Sequence, residues 1–527
     1  MKKVITTILT IILFLPLLSV GQQRWETILG NPQVDDYPAE ILTDYDGGYL
    51  ITSLDNLQQN TLYKTNRNGD LLWNKVCINK NGTYFNGAAF AEKNGIKVIV
   101  GNLDNHAFLW ALNECGDLIW CSELDNQNYI QNDYRDIVLL SDKIIVMGTH
   151  VLPDYNIVCT LFGFDYYGNL LWDKEILNPA SDSLLSQYLN PAYLNKVGNH
   201  FFISGFCYYA YPDNPNLVTL KAMFIDVDSL FNKKWFLPYG MQDSIFAVGR
   251  GVAIVDSGIR RGYGSYFVPP TADTLNSIFM DFDTTGNETG YIGISNSTIS
   301  PDVKDNDLMN LIPIQDTAYL ITAQVGNIPL TVNPIGEFVI DTGGSYVYHY
   351  QNHPGVYANL HPTTKTNDNR FAFVARKQNT HKDILLYKLN ADLSQAEIDT
   401  TTYVYDSLCE HPIISDTIYL DDCDIVTAVP EFPTPAAYYA AKQKVELTAY
   451  PNPVSGNTVY FKLKYTQYHS NMQLIVYDIS GRPMAKRPIA TGQKEAQLSV
   501  NGFSPGLYVA VVTNGKKVLG KRAFAVE

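Results

Sequence analysis

A chain of 527 residues that is 46% hydrophobic and 12% aromatic has ample material for a packed core, which excludes a disordered chain. Its formal net charge of −15 is unevenly spread. Setting aside Lys2 and Lys3, the residues before Lys442 hold 24 basic against 49 acidic side chains; that body has no means of neutralising phosphates and is not expected to bind nucleic acid.

The first residues read as an export signal. Lys2 and Lys3 precede an apolar run from Val4 to Leu18 and then the small residues Ser19 and Gly21, which predicts a signal peptide over 1–21 with cleavage before Gln22. The run is about 15 residues long against the roughly 20 that a membrane helix needs. No later stretch is long and apolar enough to span a bilayer, so no transmembrane segment is expected in the mature chain.

An internal repeat follows. Asn66-Arg-Asn-Gly69 precedes Leu71-Leu72-Trp73, Asn113-Glu-Cys-Gly116 precedes Leu118-Ile119-Trp120, and Asp165-Tyr-Tyr-Gly168 precedes Leu170-Leu171-Trp172. Weaker copies end at Trp235, at Asp283 to Gly286 before Tyr291, at Asn333 to Gly336 before Phe338, and at Asn390 to Leu393 before Ile398. The Asx-x-x-Gly pattern is a hairpin turn, in which the first side chain caps the turn and glycine takes a positive φ. Upstream of the turns lie β-rich runs such as Tyr49-Leu50-Ile51-Thr52, Val98-Ile99-Val100, Ile144-Ile145-Val146 and Phe201-Phe202-Ile203. Four short strands per unit, repeated seven times at about 50 residues, predict a β-propeller over 22–405. These units resemble the blades of secreted quinoprotein-like or WD40-like propellers, a likeness that implies fold and leaves activity open. The recurring tryptophan is expected to wedge between blades.

Seven cysteines stand at 77, 115, 121, 159, 207, 409 and 423 without the spacing of a zinc site. Most are expected to be buried apolar side chains, whereas Cys409 and Cys423, bracketing a short segment of the linker 406–441, are expected to pair with each other. Pro430, Pro433 and Pro435 then mark the end of the acidic body.

Residues 442–527 carry twelve basic against four acidic side chains and read as a separate small β-sandwich. Alternation at Val459, Phe461 and Leu463, at Leu474 and Val476, and at Tyr508, Ala510 and Val512 gives strands with one apolar face. Tyr450-Pro451-Asn452-Pro453, then Tyr477-Asp478 leading to Gly481, then Pro505-Gly506 leading to Tyr508, occur in that order before a closing Lys521-Arg522. This segment resembles the type A C-terminal sorting domain of the Bacteroidetes type IX secretion system. The resemblance implies export to the cell surface or medium, with the outer-membrane translocon and a surface sorting peptidase as partners and attachment to lipopolysaccharide or release as the outcome. The fold class expected is all-β, a seven-bladed β-propeller followed by a small C-terminal β-sandwich.

The chemistry of the propeller is less legible. No phosphate loop, HExxH helix or GxSxG elbow occurs in a context that would give it meaning, and catalytic residues stay unknown. Asp302, Asp305, Asn306 and Asp307 offer oxygen ligands suited to calcium, but such a run is equally the composition of a solvated loop, and neither metal nor cofactor is expected. Asp406-Ser407-Leu408 and Asp416-Thr417-Ile418, like Asp182-Ser183-Leu184 and Asp273-Thr274-Leu275, resemble O-glycan acceptor motifs, although turn chemistry enriches the same pairs. Tyr208, Tyr209 and Tyr211 of the fourth unit, with Tyr346, Tyr348, His349, Tyr350 and His353 at the entry to the seventh, are expected to share one face and to bind a glycan or a partner protein. The alternative is a secreted hydrolase or lyase that uses one of these side chains as acid or base.

Overall fold

A computed structural model describes residues 25–426 and 445–527, apart from 32, 57–58, 79–84, 104–105, 125–128, 153–154, 178–184, 212–213, 240–245, 257–258, 268–274, 295–304, 315–317, 327–334, 344, 354–355, 358–361, 379–380, 421–422, 465–471, 479–481 and 515–517. Signal peptide and proline-rich segment lie outside the described residues. Regular structure is entirely strand among the described residues, and none of them forms a helix long and apolar enough to cross a membrane. The chain divides near residue 428 into two compact units.

In the first unit seven sheets follow one another among the described residues, spanning 36–78, 85–124, 131–177, 185–239, 246–294, 305–353 and 356–389. Each of the first six runs outward as four consecutive antiparallel strands. The seventh is completed from the other end of the chain, because Glu26–Leu29 pairs antiparallel with Lys382–Leu389. This strand, next to Trp25, is the outermost of that sheet's path.

The turn chemistry explains why the strands break where they do. In Asn66–Asp70 the Asn66 N–H donates to Asp70 O at 2.9 Å, the Gly69 N–H donates to Asn66 O at 3.1 Å, and Gly69 sits at φ 83°. The Asn66 side chain accepts from the N–H groups of Asn68 and Asp70 at 2.8 and 2.9 Å. Asn113, Asp165, Asp228 and Asp283 open turns of the same design. Hydrogen bonds to the ionised form, chiefly from the Asn232 N–H to Asp228 and from the Thr285 hydroxyl to Asp283, hold these two carboxyls down at about 2.

Apolar side chains from adjacent sheets meet in shared cores. Trp73 of the first sheet packs with Phe90, Ile99 and Trp110 of the second; Met309 and Val339 of the sixth pack with Phe373 and Leu385 of the seventh. Trp25 and Leu386 of the seventh pack with Tyr49 and Tyr63 of the first. The last sheet is thus buried against both the sixth and the first, the ring closure of a β-propeller. Trp73 is the interblade wedge expected of it, and Trp172 lies over Gly163, where a Cβ would stand 2.2 Å from its ring.

The segment after the seventh sheet departs from expectation. It is part of the propeller unit rather than a linker, at least as far as residue 426. Asp416–Tyr419 adds parallel to Lys75–Ile78 at the outer edge of the first sheet, and Asp424–Val426 adds parallel to Ser122–Leu124 at the outer edge of the second. Cys409 and Cys423 do not pair with each other. Cys409 is bonded to Cys115 and Cys423 to Cys121, both in the second sheet or its last turn. The pairing follows from the strap's path: it runs along those sheets, so each cysteine meets a partner about 300 residues away. Cys77, Cys159 and Cys207 are buried thiols whose burial pushes them up to about 12, as expected of inert core residues.

The second unit is a β-sandwich. One sheet holds Glu446–Tyr450, Thr458–Lys464 and Glu495–Ser499; the other holds Pro483–Pro488, Gln473–Asp478, Gly506–Thr513 and Val518–Val526. Val459, Phe461, Leu463, Leu474, Val476, Tyr508, Ala510 and Val512, the alternating residues of the sequence, all point into its core.

Candidate functional site

The propeller axis is lined by the first strand of each sheet, and in the first six sheets these strands share an irregularity. Pairing with the second strand slips by one residue between Pro38 and Glu40, Gly87 and Ala89, Tyr134 and Asp136, Pro191 and Tyr193, Gly249 and Gly251, and Leu308 and Asn310. A bulge re-aims the residues around it. Here it sends polar side chains across the seams. Glu40 accepts the Phe90 N–H of the next sheet at 3.0 Å, and Asp136 accepts the Leu194 N–H at 2.6 Å. Asn195 bonds both backbone groups of Val252 and Asn310 donates to Thr363 O at 3.2 Å, while Ser265, on the second strand of the fifth sheet, accepts the Leu308 N–H at 3.0 Å.

Arg250, on the bulge of the fifth sheet, joins three sheets. It donates to the Tyr193 hydroxyl on one side and to both oxygens of Asp307 on the other, at 3.1 and 3.2 Å, while Ser265 donates to Asp307 at 2.7 Å. A guanidinium therefore occupies Asp307, the described member of the candidate calcium run; Asp302 lies outside the described residues, as do the side chains of Asp305 and Asn306. On the third sheet Gln131 and Arg135 both donate to Asp133, at 3.1 and 2.8 Å, and form a polar row along one strand. Burial pushes the Asp136 carboxyl up to about 7; burial, reinforced by the like charge of Asp136, raises Glu40 well above the carboxylate range.

The expected ligand residues are only partly brought together. Tyr208, Tyr209 and Tyr211 belong to the second strand of the fourth sheet, His200–Tyr211, near its end opposite the tight turns. Tyr208 is 41% exposed there. Tyr346, Tyr348, His349, Tyr350 and His353 do not lie at the entry to the seventh sheet: they form the outer strand of the sixth, Tyr346–His353, whose last residues alone reach that end. Tyrosine at every second position from Tyr346 to Tyr350, with Val347 between, suits a pleated edge strand, which is why the segment pairs rather than loops. The side chains of Tyr209, Tyr211, Tyr346, Tyr348, His349, Tyr350 and His353 lie outside the described set. Sequence reasoning missed Tyr155, 75% exposed in the turn after the second strand of the third sheet; the signal was a bulky residue at the glycine position of a four-residue turn.

In the C-terminal unit the sequence motifs have distinct structural tasks. Asn452 accepts the Ala525 N–H at 2.9 Å and so ties the first motif to the last strand. Asp478 accepts from the N–H and guanidinium of Arg482 at 3.0 and 3.1 Å, joining the ends of two paired strands; Gly481 lies outside the described residues. Tyr508 is buried against Phe503 and Phe524 and donates to Ser504 O at 2.7 Å. Tyr450 stacks on Tyr460, while Pro451, Pro453, Pro505 and Gly506 stay exposed. Residues 448–525 match the family model described as a secretion system C-terminal sorting domain.

The C-terminal unit is a type IX sorting domain.

A sorting domain marks its carrier as a secreted or cell-surface protein that engages the type IX machinery. No curated protein matches the chain. Among solved structures it is similar to a protein of unknown function from Bacteroides caccae, at 12% identity over 58% of this chain and 94% of that one, with a TM-score of 0.36. It is also similar to Drosophila Semaphorin 1a extracellular domains 1–2, at 10% identity over 69% and 88% of the two chains and a TM-score of 0.40. A third is the endo-arabinase from Bacteroides thetaiotaomicron, at 10% identity over 51% and 95% and a TM-score of 0.31. Likenesses this distant carry neither ligand nor activity across.

Proposed function

We propose that the propeller is a binding or adhesion module for a glycan or a partner protein, which the sorting domain delivers to the outside of the cell after signal-peptide removal. The observation that supports binding over catalysis is the commitment of the axial carboxylates. Glu40 and Asp136 accept backbone N–H groups across seams, and Asp307 holds Arg250. Groups spent on holding the ring together are poor proton shuttles. Exposed tyrosines on the end opposite the tight turns supply what a binding face needs, a large apolar surface with a polar tip.

One observation favours the alternative of a secreted hydrolase or lyase. Burial raises Asp136 to about 7 and, with the charge of Asp136, raises Glu40 as well, and buried carboxyls with raised proton affinity suit acid–base chemistry. Incubating the purified propeller with an array of polysaccharides, then scoring both retention and new reducing or unsaturated ends, separates the two. Retention without cleavage supports the binding module; cleavage abolished by Asp136→Asn supports the enzyme.

A further inference from the structure

Leu152, Tyr155 and Asn156 make the same two backbone hydrogen bonds as the tight turns at the other end of the sheets, residues 153 and 154 lying outside the described set. Leu152 N–H donates to Asn156 O and Tyr155 N–H donates to Leu152 O, both at 2.8 Å. This turn joins the second and third strands of its sheet, so it lies at the opposite end from Asn66–Asp70. Leucine at its first position has no side chain to cap it. Its fourth position, held by Gly47, Gly69, Gly116, Gly168 and Gly286 in the turns described above and their relatives, is Tyr155 at φ 66°.

Bulky residues resist that left-handed conformation. Two others adopt it in equivalent turns, Phe231 at φ 61° and Leu393 at φ 63°, and both are buried, at 7% and 2% exposure. Phe231 packs its ring 4.4 Å from that of Trp172. There the packing offsets the strained backbone. Tyr155, 75% exposed, lacks that compensation within the fold.

Its surroundings suit a ligand. Ile130 N–H donates to Val151 O at 2.8 Å, which sets the 47% exposed Ile130 beside the start of the turn. Tyr129 stacks on His150 at 4.6 Å. The row of Gln131, Asp133 and Arg135 runs from there down the first strand of the sheet, with Arg135 also donating to the Thr149 hydroxyl at 3.2 Å and its side chain 40% exposed. At the matching end of the next sheet stands Tyr208.

We infer that Tyr155 anchors a rim that binds a neutral oligosaccharide, which lies across the third and fourth sheets with one sugar ring stacked on Tyr155, a second contact at Tyr208, and hydroxyl groups bonded by Gln131 and Arg135. The inference rests on the binding reading and narrows it to one ligand class. Separate exposed aromatic rings together with amide and guanidinium groups suit a ligand with both apolar faces and hydroxyls. A protein partner would call for a contiguous apolar centre. The excess of 49 acidic over 24 basic residues in the acidic body disfavours an anionic polymer.

Affinity electrophoresis of the full secreted chain through gels containing a β-glucan, a mannan, a galactan or the anionic alginate tests it, with thermal midpoints measured on the same samples. The wild type is expected to be retarded by at least one neutral gel and not by alginate. Tyr155→Asn, which tolerates the left-handed backbone, is expected to weaken retention about tenfold while its midpoint stays level or rises; Tyr155→Phe keeps most of the retention. A lower midpoint for Tyr155→Asn would make Tyr155 a packing residue and overturn the inference. Undiminished retention of Tyr155→Asn overturns this rim and leaves the binding reading standing. Retardation by alginate alone overturns the ligand class, and a wild type that no gel retards overturns the glycan arm of both.

Discussion

The indole N–H of Trp73 donates to Asp406 at 2.9 Å across 333 residues of chain. Trp73 is the wedge between the first two sheets, and a buried indole N–H needs an acceptor. The strap supplies it. Around that bond Asp406 N–H donates to Asp46 at 2.9 Å, Asn68 exchanges hydrogen bonds with both backbone groups of Asp399, and the Arg67 guanidinium lies 3.7 Å over the Tyr403 ring. Residues past the seventh sheet thus complete the first sheet's turns and cover two outer edges that would otherwise offer unpaired backbone to other chains.

The strap sets where the propeller can be cut. A chain ending at residue 441 is expected to fold and to remain in the periplasm of a type IX host, because it keeps the strap and loses only the sorting domain. A chain ending at 405 is expected to aggregate, since it loses both edge strands and leaves Cys115 and Cys121 without partners. Fractionation and size-exclusion chromatography of the two chains check this; export of the 441 chain to the medium would contradict the sorting assignment.

The two disulfides are expected to be non-additive. With one bridge intact, the other closes a ring of only 14 residues on the strap and 6 on the second sheet, so losing either alone is expected to cost about 3 kcal/mol. Losing both frees loops of 294 and 302 residues and is expected to cost more than twice as much, a difference readable by chemical denaturation of Cys409→Ser, Cys423→Ser and the double variant.

Lys64 is fully buried, bonded to Asp44, 2.7 Å from Asp46 and 3.9 Å from Asp406. Among the described residues Lys64 is the one cation in direct contact with these three carboxylates, and the buried Lys97 adds a second positive charge near Asp44 and Asp406. Lys64→Met is expected to destabilise the propeller by about 3–5 kcal/mol, because it strands buried negative charge. Urea denaturation at neutral pH measures it; a loss below about 1 kcal/mol would show the group to be hydrated.

Asp136 makes stability depend on pH in a defined direction. Its folded carboxyl titrates at about 7 against 3.8 for the ordinary group, so between those values the folded state holds a proton that the unfolded state has released. Stability from this group is therefore present below about pH 4 and lost as pH rises toward 7. Asp136→Asn keeps one acceptor oxygen for the Leu194 N–H and loses the one that accepts the Ile137 N–H at 2.7 Å, so it is expected to be less stable than the wild type near pH 4 and to recover relative to it by pH 8. An unchanged difference in denaturation midpoint between pH 4 and pH 8 would contradict the shift.

What the sequence determined by itself was local or self-contained. Asx-x-x-Gly turns announce themselves, since Asn66 and Gly69 settle their geometry within five residues, and the alternation from Val459 to Leu463 names the buried face of its strand without reference to anything distant. The ordered motifs from Tyr450 to Tyr508 likewise sit inside one small sandwich. Only the tertiary structure decided the cysteine partners, the strap, the outer-edge placement of Tyr346–His353 and the exposure of Tyr155. A strand's period-two pattern says which face is apolar and nothing about which edge it joins. Proximity along the chain suggested Cys409 with Cys423, whereas ring closure brought Cys115 and Cys121 to them instead. Whether a tyrosine at a glycine's turn position is buried, like Phe231, or left in water, like Tyr155, depends on which neighbouring sheet lies over it, and that is set when the sheets pack.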